Sequence, residues 1–552
     1  MNATLPLLAA RDLAAPLAWR QGLPVSAATF LGQAAALAEH LPARGRPINL
    51  CQDRYAFALG LAAALLRGQT SLMPPNALPE TLRTLPPEGS APYALVDDAE
   101  LDVGGLRRVF VAPPAAAPAV TAVPPIPCAL EAVCLLTSGS TGAPQPHVKP
   151  WGMLVANIAA EAERLAEFIG RPNLQGLNLL ATVPAQHSYG LESTVLLALL
   201  GGASFDAGRP FYPADIAAAL ARLPAPRALV TTPFHLKTLL RAGVALPPVE
   251  LVLSATAPLS PQLAAQAEAV FGGRLVEIYG CTEAGQVAAR RTTAGETWRT
   301  LGALRLWREM GADGERYLVQ GGHVTEATPL SDLLELDDAQ HFRLLGRADD
   351  LIHVAGKRSS LAHLDFHLNR IPGVDDGAFW MPDEQVDGIT RPVAFVVAPT
   401  LSAHEVTLAL REHLEASFVP RRVVHVAGLP RAATGKLTAC ALARFARDAL
   451  NGGEHFDIPA DHPAFAGHFP GQPVLPGVVL LSLVMRTLDT RPALRHRLGA
   501  TPQIVQVKFL GPVGPGARLR VQLREHGSGV AFEVQRDDAV VARGQLGPGL
   551  AA

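Results

Sequence analysis

A chain of 552 residues exceeds what one ordinary hydrophobic core organises, so two or more domains are expected. Hydrophobic residues make up 49% and charged residues 17%, which excludes a disordered chain, and a formal net charge of −2 excludes the basic footprint of a nucleic-acid binder. Five cysteines, Cys51, Cys128, Cys134, Cys281 and Cys440, form no C-x-x-C pair, so neither structural zinc nor a disulfide framework is expected and a reducing, cytoplasmic setting is.

The chain starts MNATLPLLAARDLAAP, without a basic stretch and with Asp12 inside the apolar run, so no signal peptide is expected. The longest apolar runs, such as VVLLSLVM, fall short of the ~20 residues a membrane span needs. Residues 113–127, PPAAAPAVTAVPPIP, can hold neither a helix nor a central strand. The following ALEAVCLLTSGSTG reads as a buried strand running into a Gly/Ser/Thr loop. From about 207 to 285, RALVTTP, ELVLSATAPL and RLVEIYG read as strands separated by HLKTLLRAG and SPQLAAQAEAVFGG. The second spacer has Ser260 as N-cap, Pro261 at the first helical position and Gly272 as the stop. Such alternation predicts a parallel α/β sheet.

Composition breaks again at NGGEHF, residues 451–456. Beyond it PGVVLLSLVMRTL reads as one apolar helix, and ARLRVQLRE alternates Leu519, Val521 and Leu523 with polar residues as a half-buried strand does. GVAFEVQ and AVVARGQLG flank a hairpin turn at Arg536-Asp537-Asp538, giving a small α+β domain.

The sharpest local signal is the loop Thr137-Ser138-Gly139-Ser140-Thr141-Gly142. Glycines let backbone N–H groups turn inward and hydroxyls add donors, which suits phosphate oxygens. No Gly-Lys-Ser/Thr follows, so it is not a Walker loop. By itself such a loop is more often a flexible turn. It is accompanied, in order, by Tyr279-Gly280-Cys281-Thr282-Glu283, Leu345-Gly346-Arg347-Ala348-Asp349-Asp350 and Pro430-Arg431-Ala432-Ala433-Thr434-Gly435-Lys436.

In this order, over about residues 1–450, the segments resemble the adenylate-forming enzymes: acyl- and aryl-CoA ligases, peptide-synthetase adenylation domains and luciferases. The resemblance implies an α/β adenylate-forming fold, with a large domain at 1–346 and a small mobile C-terminal subdomain at 347–450. It implies ATP and Mg²⁺ as cofactors and a carboxylic acid as substrate. Thr137, Ser138, Gly139, Ser140, Thr141 and Gly142 would close over the β- and γ-phosphates. Tyr279 would stack on adenine, Thr282 would meet the α-phosphate, and Glu283 would help hold Mg²⁺. Asp332, preceded by Leu-Ser where the family has Thr-Gly, and Arg347 would hold the ribose. Lys436 would bridge the substrate carboxylate and the α-phosphate, Asp349 would be the hinge, and Gly356 would lie in the loop that turns inward for thiol attack. His187, Tyr189, Gly190, Ala255 and Thr256 would line the acid pocket. Singly, each has a plainer reading: Arg347 and Asp349 as a surface ion pair, Lys436 as a solvated lysine, Glu283 as a helix-start carboxylate, His187 as a core histidine.

One departure concerns the phosphate loop, which in the family ends Pro-Lys and here ends Pro144-Gln145. Either Lys149 supplies the missing charge or the loop closes more weakly. The compact length and the PQPHVKPWG segment are similar to ligases of aryl-polyene pigment clusters, which feed carrier-protein pathways. The acceptor thiol implied is acyl carrier protein or CoA.

Residues 455–548, above all GHFPGQPVLPGV, resemble 3-hydroxyacyl-carrier-protein dehydratases, implying an α+β hot-dog domain with His468 as base and a homodimer formed through that domain. The carboxylic acid that the family carries on the central helix is here Ser482, and no Asp or Glu occurs between Asp461 and Asp489. General acid catalysis is worth ~10²–10⁴-fold, so dehydration is in doubt while thioester binding is retained. The leading expectation is a bifunctional acid–thiol ligase with a dehydratase-like domain. The alternative is an acyl-CoA ligase whose hot-dog module is a non-catalytic dimerisation or carrier-docking unit.

Overall fold

Ser260, Pro261 and Gly272 bracket a helix, Pro261–Phe271, as their chemistry predicts: the Ser260 hydroxyl accepts from Leu263 N, and Gly272 takes a left-handed φ of 75° at the stop. The computed structural model describes residues 3–548 apart from 75, 84, 86–91, 114–119, 139–143, 312–313, 348–350, 355–356, 383–390, 433–434, 436, 451–452, 466–472, 490–491, 500, 528 and 537–538. The chain packs as two compact units, Met1–Leu437 and Thr438–Ala552.

In the first unit the expected strands Arg227–Thr231, Leu251–Ser254 and Arg274–Cys281 lie side by side and parallel, with Asn178–Ala181 and Ser204–Asp206 continuing the sheet. Their near-continuous apolar runs reflect burial on both faces. Beyond Arg274–Cys281 the sheet turns antiparallel through Gly285–Arg290, Trp298–Thr300, His341–Arg347 and Asp332–Leu336, and among the described residues it has eleven strands. A second, six-stranded sheet contains Glu131–Ser138, paired antiparallel with Pro144–Pro150 at its edge and parallel with Ser71–Met73 on its other side. Among the described residues, the Pro-rich connector contributes one short strand, Pro125–Pro127, paired with Thr4–Pro6. A smaller layer, Asp376–Trp380, Val393–Val397 and Val423–His425 with helices Leu361–Asn369 and Ala403–Arg411, has its own core around Leu364, Phe379, Val396 and Leu410.

The second unit wraps a five-stranded antiparallel sheet, in the order Gly453–Asp457, Arg518–His526, Gly529–Arg536, Ala539–Gly547, Gln503–Phe509, about helix Gly477–Asp489. Leu519 and Val521 point into its core, as their alternation predicts. A second helix, Pro492–Leu498, adds to the single one expected; Leu494 and Leu498, four residues apart, reach the same core. Among the described residues no helix is long and apolar enough to cross a membrane.

Candidate active site

In a parallel α/β sheet, ligands gather outside the carboxyl ends of the strands, where backbone donors and loop side chains converge. Here those ends deliver expected site residues to one edge, Tyr279, Thr282 and Glu283 with Arg274–Cys281 and Ala255 and Thr256 with Leu251–Ser254, beside Thr231 and Thr232 at the end of Arg227–Thr231, which the sequence did not single out.

Tyr279 is buried, with its ring edge-on to Phe342 (5.6 Å between centroids) and tilted against Trp298 (5.8 Å). Its hydroxyl donates to Asp332 Oδ2 at 2.8 Å. Asp332 in turn stands opposite Arg347 in the antiparallel register of their strands. Tyr279 and Asp332, 53 positions apart in sequence, thus meet through this hydrogen bond, and the backbone register sets Arg347 opposite Asp332. Thr282 is half-buried and Glu283 exposed in the turn after the strand. The Glu283 carboxylate lies 3.8 Å from His147 Nε2.

The strand Glu131–Ser138 carries Thr137 and Ser138 to the start of the phosphate loop, with Gln145 opposite Thr137 across the hairpin. Gly139, Ser140, Thr141, Gly142, Asp349, Gly356, Lys436 and His468 lie outside the described residues, as does the turn pair Asp537-Asp538. Lys149 is only 2% exposed, and its ammonium donates to the Glu283 carbonyl at 2.7 Å. Burial lowers its pKa against the pull of Glu192. Its ammonium is thus engaged with the backbone of the Cys281–Glu283 turn.

On the acid-pocket side, His187 is exposed at the cap of the short helix Ser188–Gly190. The Tyr189 hydroxyl donates to Thr231 O at 3.1 Å, tying this segment to the next strand end. Only glycine fits at 190, where a Cβ would stand 1.9 Å from the Pro184 carbonyl. The chain then makes a π-helical stretch, Leu191–Leu196, a geometry enriched at functional sites. Thr256 holds φ +80°, a strained value for a β-branched residue.

A buried polar cluster behind this wall was not singled out from sequence. Ser193 Oγ donates to Glu161 Oε1 at 2.7 Å and receives Gln286 Nε2 at 2.8 Å, while Ser188 Oγ donates to Glu192 Oε1 at 3.1 Å. Burial pushes the Glu161 carboxyl up to about 8 and that of Glu192 to about 7, the latter held back by Lys149. It also pushes His323 down to about 4, assisted by Lys149. A signal existed: Leu154, Ile158, Glu161 and Leu165 share the apolar stripe of helix Trp151–Ile169, and a carboxylate on such a stripe needs partners.

Among the described residues no group of three or more His, Cys, Asp or Glu could hold a metal ion. Mg²⁺ needs no such cage; it is commonly held by one or two carboxylates and the substrate's phosphates, and the exposed Glu283 suits that arrangement. In the second unit, helix Gly477–Asp489 buries Leu480, Leu483, Val484 and Leu488 and leaves Ser482 exposed. Its one acid, Asp489, lies at the far end and pairs with Arg495 at 3.2 Å.

Comparison with known proteins agrees with this geometry. Residues 83–304 match the family model of AMP-binding enzymes, residues 367–436 that of the AMP-binding enzyme C-terminal domain, and residues 453–545 that of the ApeI dehydratase. The 4-coumarate–CoA ligase of Rhodobacter capsulatus is 31% identical over 291 residues, 52% of this chain and 69% of that enzyme. The 3-hydroxyacyl-acyl-carrier-protein dehydratase FabZ of Gluconacetobacter diazotrophicus is 36% identical over 78 residues, 13% of this chain and 48% of that enzyme, so the chain spans about half its length. ATP-bound MatB from Rhodopseudomonas palustris shares the fold, with a TM-score of 0.65 at 18% identity over 79% of this chain and 97% of that one. The chain belongs to the AMP-binding, adenylate-forming enzymes. It is an AMP-forming acid–thiol ligase with a dehydratase-like hot-dog domain fused behind it.

Proposed function

We propose that the protein activates an aryl or acyl carboxylic acid as its adenylate and transfers it to a thiol, with acyl carrier protein as the acceptor. The observation that carries this reading is the meeting of Tyr279, Asp332, Thr282 and Glu283 at the carboxyl ends of the parallel strands. In the first half-reaction the acid's carboxylate oxygen attacks the α-phosphorus of ATP, forming the acyl–phosphate bond and expelling pyrophosphate. Tyr279 packs against adenine, Asp332 and Arg347 clasp the ribose, and Thr282 contacts the α-phosphate. Thr137 to Gly142 close over the β- and γ-phosphates. Glu283 would help hold Mg²⁺, which would supply neutralisation of phosphate charge, and Lys436 stabilises charge building between the reactants. In the second half-reaction a thiolate attacks the acyl carbonyl and AMP leaves, after a hinge at Asp349 has withdrawn Lys436. His187, Tyr189, Gly190, Ala255 and Thr256 surround the acid's tail. The similarity to 4-coumarate–CoA ligases supports an aryl acid, and the fused dehydratase-like domain supports a carrier-bound product in a cytoplasmic, aryl-polyene-type pathway.

For the hot-dog domain, Ser482 favours a second reading, a dimerising or carrier-docking module that binds thioesters with His468 and dehydrates them slowly. Ile504, Val505 and Phe509 are exposed on Gln503–Phe509, an edge strand of the sheet, and Val478 is exposed on the adjoining helix. An apolar free edge of this kind invites a second copy, so the chain is a homodimer through this strand. The test incubates the protein with ATP, Mg²⁺, 4-coumarate, benzoates or fatty acids, and either CoA or acyl carrier protein, and weighs both acceptors. Acylated carrier protein supports the proposal; acylated CoA alone would replace it with a CoA ligase.

A further inference from the structure

The tripeptide Val374–Asp376 is gripped from two sides. From helix Pro233–Arg241, Lys237 Nζ donates to Val374 O at 3.0 Å and Arg241 Nη2 lies 2.6 Å from Asp375 Oδ1. From the other side, Arg431 makes a two-pronged bond with Asp376, Nε to Oδ2 at 2.8 Å and Nη2 to Oδ1 at 2.7 Å, and both side chains are less than one-fifth exposed. The remaining prong of Arg431, Nη1, donates to the Gly435 carbonyl at 3.2 Å, and Gly435 N closes a tight turn onto Ala432 O at 2.7 Å. Gly435 holds φ +80°, and a Cβ there would come within 3.0 Å of Phe234 Cβ and 3.4 Å of Thr232 Oγ1. The turn is therefore seated on Thr232 and Phe234, directly after the strand end that receives Tyr189.

We propose that Asp376 is a positioning residue for adenylation, acting through Arg431 to fix the turn whose next residue is Lys436. The proposal rests on the role given above to Lys436 and concerns the turn up to Gly435, Lys436 itself being outside the described residues. The strand Asp376–Trp380 takes one bond from this carboxylate, Gly377 N to Oδ1 at 2.9 Å, and is held mainly by other groups. Its backbone pairs with Val393–Val397, and Asp365 and Asn369 hold Phe379 N and Gly377 O. What the carboxylate adds is charge and a fork-shaped acceptor for a guanidinium withdrawn from water. That geometry pins a plane, which an ammonium cannot reproduce. The contacts of Lys237 and Arg241 register the same tripeptide on the helix that Thr232 caps, so the turn is referenced to the active-site wall at both ends. In the second half-reaction Lys436 plays no part, so the clamp matters to one half-reaction only.

The test uses the full chain and measures the half-reactions separately: ATP–pyrophosphate exchange for adenylation, and thioester formation from a supplied acyl-adenylate for transfer. Asp376→Asn and Arg431→Lys are each expected to lower the exchange kcat about 10–100-fold, the scale of an ångström-sized misplacement, with a much smaller change in KM for ATP. Transfer from the supplied adenylate is expected to stay within about threefold of the wild type. The reversed pair Asp376→Arg with Arg431→Asp is expected to exchange faster than either reversal alone. Equal loss of both half-reactions in Asp376→Asn and Arg431→Lys, or unchanged exchange in both, overturns the proposal. Lys436→Ala separates the premise from the inference: exchange surviving in that variant removes the adenylation role of Lys436, whereas exchange lost there but retained in Asp376→Asn removes only the clamp.

Discussion

The Tyr279 hydroxyl donates a 2.8 Å hydrogen bond to Oδ2 of Asp332, joining the residue placed at adenine to the residue placed at ribose. The bond orients a carboxylate that must present its other oxygen to a sugar hydroxyl. Tyr279→Phe keeps the ring among Phe342 and Trp298 and removes only the donor. A hydrogen bond to a charged group contributes ~1.5–3 kcal/mol, so KM for ATP is expected to rise about tenfold or more. The acid's KM should change little. Steady-state exchange kinetics with ATP varied checks this; an unchanged KM for ATP would mean that Asp332 does not meet the nucleotide.

Lys436→Ala is expected to abolish adenylation while the protein stays folded, because the lysine acts on charge that exists only as the phosphate reacts. Transfer from a supplied acyl-adenylate should suffer far less. Exchange that survives within about tenfold of the wild type, a loss of under ~1.4 kcal/mol, would show that the lysine is not at the reacting phosphate.

Much of this site was legible in the sequence because its parts are local. The Tyr279–Glu283 turn and the Ser260–Gly272 helix are each specified by neighbours a few residues apart, and the strands around them by their apolar runs. What was not legible is made by partners distant in sequence. Arg431 and Asp376 stand 55 residues apart, and nothing in PRAATGK announces a carboxylate partner. The sequence leaves open whether Lys149 supplies the charge missing from the phosphate loop; the structure engages its ammonium with the Glu283 carbonyl, a contact across 134 residues. Helix Pro492–Leu498 was missed because a seven-residue stretch with two core leucines gives too little periodicity to register.

Glu161 gives a pH signature. Its ordinary carboxyl pKa of 4.5 is raised by burial to about 8 in the folded protein. The unfolded chain therefore loses this proton before the folded chain does, and stability present below 4.5 declines as pH rises towards 8. Glu161→Gln cannot titrate and keeps an acceptor for Ser193. Its Tm, measured from pH 5 to 9, is expected to fall less with rising pH than that of the wild type. Parallel Tm curves would mean that Glu161 is ionised and compensated in the fold.

Ser482→Glu restores a carboxylic acid to the central helix of the hot-dog domain, at an exposed position. A hydroxyl is far too weak an acid to protonate a leaving group, so the wild type should dehydrate a 3-hydroxyacyl carrier protein slowly and Ser482→Glu faster, towards the ~10²-fold that an acid catalyst supplies. His468→Ala should abolish the gain. A fast wild type would mean that an acid enters from elsewhere in the chain or from a second copy. A slow wild type with no gain would leave docking as the role of the domain.

The central claim, that this chain makes an acyl-adenylate, is tested most directly by acid-dependent ATP–pyrophosphate exchange with the purified full chain and Mg²⁺. Labelled pyrophosphate is expected to enter ATP only when a suitable carboxylic acid is present, with 4-coumarate and related aryl acids ahead of saturated fatty acids. Exchange that is absent with every acid, or that proceeds equally without one, would contradict it.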